Sequence, residues 1–397
     1  MRAPLVILGT GLAGWTVARE FRKLDPQTPI VLVSRDEGAF YSKPMLSNAL
    51  ATGRTAESLV NQTPEAAAAA VSATLLPHRE ALALDTTAKR LTLDDREIPY
   101  GQLVLAQGAE PIRLALQGDG APAVVSVNDL TDYARFRAAL PPGGRVTVLG
   151  AGLIGCEFAN DLVLGGYSVD VVDLAALPLS QLVPEAAGRA MLHALQGIGV
   201  RFHLGASARA VHRRDGQLAV ELVPASASAP GLGATLLTTD LVLSAVGLRP
   251  RTALARAAGL SIGRGILVDH WLRTSHRDVY ALGDCAEMNG QVLPYVLPIM
   301  TGARALAKSL AGAPTEVVYP VMPVAVKTPA LPLSIVPPAP GMAGQWHFMP
   351  APSDAAHFSA SLVGHFVGQD GALLGFVLAG TATAQRATLA RAIGQPV

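Results

Sequence analysis

Leu5-Val6-Ile7-Leu8-Gly9-Thr10-Gly11-Leu12-Ala13-Gly14 is the stretch on which the fold turns. Four apolar residues in a row read as a strand buried on both faces. Glycine then falls at the first, third and sixth of six positions. The first allows the tight turn out of the strand, the second lets the backbone approach a pyrophosphate, and the third lets the next helix pack close. Val17, Phe21 and Leu24 follow at i, i+4 and i+7, one face of a helix, and Ile30-Val31-Leu32-Val33 reads as the next strand. A pyrophosphate would sit at the helix N-terminus, on free N–H groups and the positive end of the dipole.

The pattern returns further along the chain. Val146-Thr147-Val148-Leu149 is a strand, and Gly150-Ala151-Gly152-Leu153-Ile154-Gly155 repeats the glycines. A helix follows with Ile154, Phe158 and Leu162 on one face, ended by Gly165-Gly166, and Val169-Asp170-Val171-Val172 is the next strand. One such fingerprint is weak evidence; two, each between a strand and a helix, point to two dinucleotides. The repeats differ where a ribose is gripped, at the end of the second strand. Asp173 there would accept both ribose hydroxyls and repel a 2′-phosphate, and no arginine follows within several residues, which favours NADH over NADPH. The first repeat reads Ser34-Arg35-Asp36-Glu37, with serine and arginine nearest the expected acid, so its ribose contact stays open among these four.

The rest of the chain bounds the reading. Its 397 residues allow two to three domains. Lys plus Arg is 31 and Asp plus Glu is 30, which gives no support to a nucleic-acid-binding chain or an acidic tail. Cys156 and Cys285 are its two cysteines, so a disulfide framework and a C-x-x-C site are excluded, and the nine histidines lack metal-ligand spacing. The apolar opening after Arg2 imitates a signal peptide, but the fingerprint accounts better for its glycines. Thr328 to Ser353 is uncharged, yet its prolines forbid a spanning helix. The expectation is a soluble, cytoplasmic protein without membrane insertion. Ala66 to Ala70 reads as ordinary helix, Pro224 to Gly233 as a loop insertion or hairpin tip, and Val363 to Val377 as a hairpin around Asp370-Gly371. Nine prolines between Pro320 and Pro352 mark a small third domain.

Together these motifs resemble the two-dinucleotide-binding flavoprotein superfamily. Leu103-Val104-Leu105-Ala106-Gln107-Gly108-Ala109 is similar to its crossover segment, with Gln107 where threonine is usual. Gly247-Leu248-Arg249-Pro250 looks like the exit from the NAD domain, and Val279-Tyr280-Ala281-Leu282-Gly283-Asp284 like the second FAD motif. Within the superfamily, Tyr41-Ser42-Lys43-Pro44-Met45-Leu46-Ser47, the run from Gly150 through Asp161, Leu272 to His276 and Val326-Lys327-Thr328-Pro329 resemble the rubredoxin–NAD+ reductase subgroup. The likeness covers essentially the whole chain and is sparsest after Trp346.

That resemblance implies an α/β protein of two Rossmann-like domains plus a small α+β C-terminal domain. Residues 1–113 and 244–319 would form an FAD domain interrupted by an NAD domain at 114–243, with the C-terminal domain at 320–397 closing over the flavin. FAD would be held by Gly9, Thr10, Gly11, Leu12, Ala13, Gly14, Ser34, Arg35, Lys43, Pro44, Ala81, Ala106, Gly108, Glu157, Asp284, Val296 and Lys327, with Asp284 on the ribityl chain. NAD would be held by Gly150, Gly152, Leu153, Ile154, Gly155, Asp173 and Gly247. Lys43 and Glu157 are the implied catalytic pair near flavin N5, the ammonium stabilising reduced flavin and the carboxylate holding the ammonium. Their plain alternatives are a surface lysine and a first-turn glutamate favoured by the helix dipole. With no redox cysteine pair, and serine where a single flavin-side cysteine would stand, electrons should leave the flavin directly for an external carrier. The implied activity is hydride transfer from NADH to FAD and single-electron transfer to rubredoxin, feeding alkane hydroxylation or a related chain. A rubredoxin is typically acidic, so Lys43, Arg304 and Lys308 are candidates for a basic docking patch. Reduction of a [2Fe–2S] ferredoxin and NADH sensing by a signalling flavoprotein are the alternatives. The expected assembly is a monomer or weak dimer.

Overall fold

In the computed structural model, which describes residues 2–225, 235–349 and 361–395, Leu5–Leu8 is the middle strand of a five-stranded sheet. The order is Val279–Ala281, Gln102–Leu105, Leu5–Leu8, Ile30–Val33, Ala73–Leu76, and every pairing is parallel. Both faces are covered, which is why the strand is apolar throughout. Leu5 and Ile7 point into one core with Trp15, Val17, Phe21 and Leu306; Val6 and Leu8 point into another with Leu91, Leu103 and Ile266. The Leu12–Leu24 helix buries Val17 and Phe21 as its periodicity requires. Leu24 departs from the expectation and stays half exposed, because it is the last helical residue and the chain turns away at Asp25.

The chain divides into two compact units. This sheet belongs to the first, built from Met1–Lys43, Glu57–Glu110 and Leu248–Pro320. The second comprises Pro44–Ala56, Pro111–Gly247 and Val321–Val397. Its parallel sheet runs Arg201–Leu204, Ser168–Asp173, Arg145–Leu149, Leu241–Ser244. The Leu153–Leu164 helix leaves that sheet and ends at Gly165. Phe158 and Leu162 are buried in it, but Ile154 is 41% exposed, since it stands in the first turn at the open end of the helix. A three-stranded antiparallel sheet follows, Ala206–Arg214, Gln217–Pro224 and Thr235–Thr239. Pro224 ends its second strand; most of the expected Pro224 to Gly233 loop lies outside the described residues.

The C-terminal part of the second unit is an antiparallel sheet ordered Val324–Val326, Leu333–Val336, Leu373–Gly380, Ser361–Gly368, Gly344–Met349. Its hairpin turns at Asp370-Gly371, as the alternation suggests; Gly371 takes φ +80° and Asp370 Oδ1 accepts the Ala372 N–H at 3.0 Å. Phe376, Leu378 and Ala382 form its small core. Among the described residues no helix is long and apolar enough to cross a membrane.

Candidate cofactor and redox site

Each glycine fingerprint builds the same cradle. Gly9 has φ +115° and a Cβ there would strike the Ala106 carbonyl; a Cβ on Gly14 would strike the carbonyl of Gly9. Gly150 has φ +103° with its Cβ position 2.7 Å from the Ala245 oxygen, and a Cβ on Gly155 would strike Gly150. Gly11 and Gly152 differ from these. Their backbone is extended and nothing lies within 4 Å of a Cβ placed on either. They are the N-caps of the two helices, and no side chain caps either end. The first-turn N–H groups therefore face open space at the positive end of a dipole, which fits a pyrophosphate.

The strand-end residues tie these turns down differently. Asp173 Oδ2 accepts the Ala151 N–H at 2.5 Å and Oδ1 accepts that of Ala175 at 2.7 Å. It thus stands where the sequence put it and pins the turn as well; each oxygen keeps a further lone pair for a ribose hydroxyl. In the first unit Ser34 takes this place. Its hydroxyl lies 2.5 Å from that of Thr10 and donates to Asp36 Oδ1, which also accepts the Gly38 N–H. Arg35 is exposed.

The remaining flavin candidates of the first unit fit the group. Asp284 follows Gly283, which takes φ +85°, and burial pushes its carboxyl up while the Lys43 charge draws it down. Gly108, φ +67°, faces open space, as a backbone approached by a ligand does. Ala81 is half-buried and opens the Ala81–Asp85 strand. Tyr295, Val296 and Leu297 expose apolar surface around the uncapped start of the Val296–Leu310 helix, the kind of surface an aromatic ring system would cover. Arg304 and Lys308 lie four apart on the outer face of that helix. In the second unit Gly247, φ +119°, accepts the Ile112 N–H at 3.0 Å as the chain leaves the sheet.

Neither cysteine is built for redox chemistry. Cys285 is buried, its Sγ donates to the Leu105 carbonyl at 3.3 Å, and burial pushes the thiol up to about 11. Cys156 is equally enclosed, bonded to the Ala151 carbonyl, and burial raises it as well. A thiolate is the reactive form, so both are packing residues. The Cys156→Ala, Cys285→Ala double variant is expected to bind FAD and turn over NADH within about twofold of the parent. Loss of acceptor reduction in steady-state assays, with flavin still bound, would defeat this reading.

Glu157 is the densest polar point of the second unit. It is fully buried on the Leu153–Leu164 helix. Its Oε2 accepts from Lys327 Nζ at 2.8 Å, Ser47 Oγ at 2.5 Å and Asn48 Nδ2 at 3.2 Å; Oε1 accepts the Lys327 N–H at 2.8 Å. Lys327 Nζ also donates to the Pro44 carbonyl at 2.6 Å. A buried carboxylate is tolerable only with such partners. Lys327, expected from the sequence beside the flavin, is also the ammonium on Glu157 within the second unit. Lys43 lies in the first unit, where its charge bears on Asp284. Sequence reasoning misses Ser47 and Asn48, because nothing in a Ser-Asn pair at the end of a short 3-10 helix signals that it will meet a helix more than a hundred positions away.

Comparison with known proteins follows this geometry. Residues 3–308 match the family described as pyridine nucleotide-disulphide oxidoreductase. The chain belongs to that family. Residues 316–393 match a second family, rubredoxin binding C-terminal domain. The oxidoreductase is 48% identical to a rubredoxin-NAD(+) reductase of Alcanivorax borkumensis, over 97% of both chains. It is 42% identical to one of Acinetobacter baylyi, over 98% of each. Among solved structures it resembles a covalent putidaredoxin reductase–putidaredoxin complex, with 25% identity and TM-score 0.86 over 99% of this chain and 94% of that one. As a member of this family the oxidoreductase uses FAD and NAD(H), in keeping with its two cradles. FAD supplies the site that takes a hydride and releases electrons one at a time. The helix N-termini at Gly11 and Gly152 would hold the two pyrophosphates and the strand-end groups at Ser34 and Asp173 would orient the riboses, while Lys327 is held on the buried Glu157 carboxylate.

Proposed function

We propose that this oxidoreductase carries electrons from NADH through FAD to rubredoxin. The match of residues 316–393 to a rubredoxin-binding domain is the observation that carries the reading, and two relatives alike over nearly their full length bear the same name. The reaction balances as one NADH oxidised to NAD+ with release of a proton, and two ferric rubredoxins reduced to ferrous. Lys43, Glu157 and Lys327 are assigned to the flavin face and Asp173 to the adenosine ribose of NADH. Delivery of electrons to alkane hydroxylation, a cytoplasmic location and a monomeric or weakly dimeric state complete the proposal.

The test is anaerobic mixing of the holoenzyme at catalytic amounts with NADH and oxidised rubredoxin, and in parallel with a [2Fe–2S] ferredoxin. Fast loss of the ferric rubredoxin absorbance alone supports the assignment. Rapid flavin reduction without bleaching keeps the NADH half and discards the partner, and bleaching of ferredoxin alone moves the acceptor to that class. Because Lys43, Arg304 and Lys308 are proposed to steer an acidic partner, rubredoxin turnover is expected to fall severalfold, by about 3–10-fold, between 0.05 and 0.5 M salt. A flat salt profile would count against steering.

A further inference from the structure

Glu157, Asn160 and Asp161 stand at i, i+3 and i+4 of the Leu153–Leu164 helix, so they share one face. That face is closed to water: Glu157 and Asn160 are fully buried and Asp161 is 5% exposed. An apolar face would pack more cheaply there, so three polar groups demand an account. Their partners supply one. Asn160 Oδ1 accepts the Ala330 N–H at 3.0 Å, and the Asn160 Nδ2 has no partner among the described residues. Asp161 Oδ2 accepts the Leu50 N–H at 2.8 Å and Oδ1 that of Ala51 at 3.1 Å. Both residues therefore hold backbone, at two separate segments. One segment carries Ser47 and Asn48 and the other carries Lys327, side chains that close on Glu157. The second is a turn already tied to itself, Thr328 Oγ1 donating to the Leu331 carbonyl at 2.7 Å and the Leu331 N–H to the Thr328 carbonyl at 2.9 Å. The bonds at Lys327 and Ala330 join it to the helix.

We propose that Asn160 and Asp161 are positioning residues, which hold the Lys327 turn and the Ser47 segment on the helix that receives NADH and thereby set the rate of electron delivery to rubredoxin. The proposal deepens the function argued above and rests on it for the acceptor. The NADH end of the helix, at Gly152, lies before this face and is built without it. Loosening either segment should then affect the step after hydride transfer. Lys327 falls within the stretch that matches the rubredoxin-binding family, which is the reason to expect the acceptor step to respond.

The experiment compares Asn160→Leu and Asp161→Leu, which keep side-chain size and remove the acceptors, with Asp161→Asn, which retains one oxygen. Three readouts are taken on the holoenzyme: amide hydrogen exchange, stopped-flow reduction of the flavin by NADH, and steady-state reduction of rubredoxin and of ferricyanide. Asn160→Leu is expected to speed exchange at Ala330 about tenfold, the worth of one buried hydrogen bond, with Leu50 and Ala51 unchanged. Asp161→Leu should do the reverse. Each should lower kcat with rubredoxin at least about fivefold while flavin reduction and ferricyanide turnover stay within about twofold, and Asp161→Asn, with one acceptor left for two N–H groups, should recover part of the loss. Unchanged exchange overturns the proposal, as does faster exchange with normal rubredoxin kcat. If a leucine variant fails to fold, Asn160→Ala or Asp161→Ala, which also removes the acceptor, is put through the same three readouts. If the parent itself does not reduce rubredoxin, the assigned function fails, and segment-specific exchange alone decides the positioning role.

Discussion

Gly11→Ala is expected to yield a folded protein without FAD. Gly11 has φ −70° and ψ −172°, a conformation alanine adopts freely, and a Cβ there meets no protein atom within 4 Å. The fold therefore has no reason to object. The space the methyl group enters is the space a pyrophosphate needs to approach the N–H groups of the first turn. Losing two such charge-assisted bonds, at about 1.5–3 kcal/mol each, weakens FAD binding at least about 100-fold. The purified variant should be colourless, with the circular dichroism of the parent apoprotein. Gly152→Ala, the same change in the other cradle, should stay yellow and raise the KM for NADH instead. Yellow Gly11→Ala protein with a normal absorbance ratio would show that the cradle has been misread. Gly14→Ala is a different experiment, because its Cβ collides with the Gly9 carbonyl and the turn itself must move.

Lys327→Met is expected to destabilise the second unit more than Glu157→Gln does. The asymmetry follows from burial: the Lys327 side chain is 38% exposed and the Glu157 carboxylate 0%. An ammonium that loses its partner can turn to water. A carboxylate that loses its ammonium stays enclosed, with Ser47, Asn48 and the Lys327 N–H as its remaining donors. Stranding a buried charge costs about 3–5 kcal/mol, whereas Glu157→Gln removes the charge and should cost about 1–3 kcal/mol. Urea unfolding followed by tryptophan fluorescence would measure both penalties. A Lys327→Met penalty no larger than that of Glu157→Gln would mean that the carboxylate is not stranded. The double variant Glu157→Gln, Lys327→Met should cost less than the two single changes added together, since it removes both charges and strands neither.

Much of this protein was legible because its decisive features are local. A strand, three glycines at fixed spacing and an amphipathic helix lie within some twenty residues, and their chemistry follows from backbone geometry alone. Asp173 was legible for the same reason, since the end of the second strand is a fixed place in such a unit. Its bond to the Ala151 N–H was not legible, because a sequence does not show which lone pairs are already taken. Leu24 and Ile154 mark the limit of periodicity: both fit a helix face by number, yet each lies at a helix end where the core no longer covers it.

The sequence by itself determined two dinucleotide cradles, their order, and the absence of a redox cysteine pair. Only the tertiary structure decided that Lys327 and Ser47 close on Glu157, from 170 and 110 positions away. The same holds for Asn160 and Asp161, which in the sequence are two ordinary polar residues in a helix. The physical reason is one of range. Glycine spacing acts through the covalent chain and leaves a trace in the order of residues. A buried carboxylate acts through space, and its partners are set by whichever segments the packing of the helix brings against it.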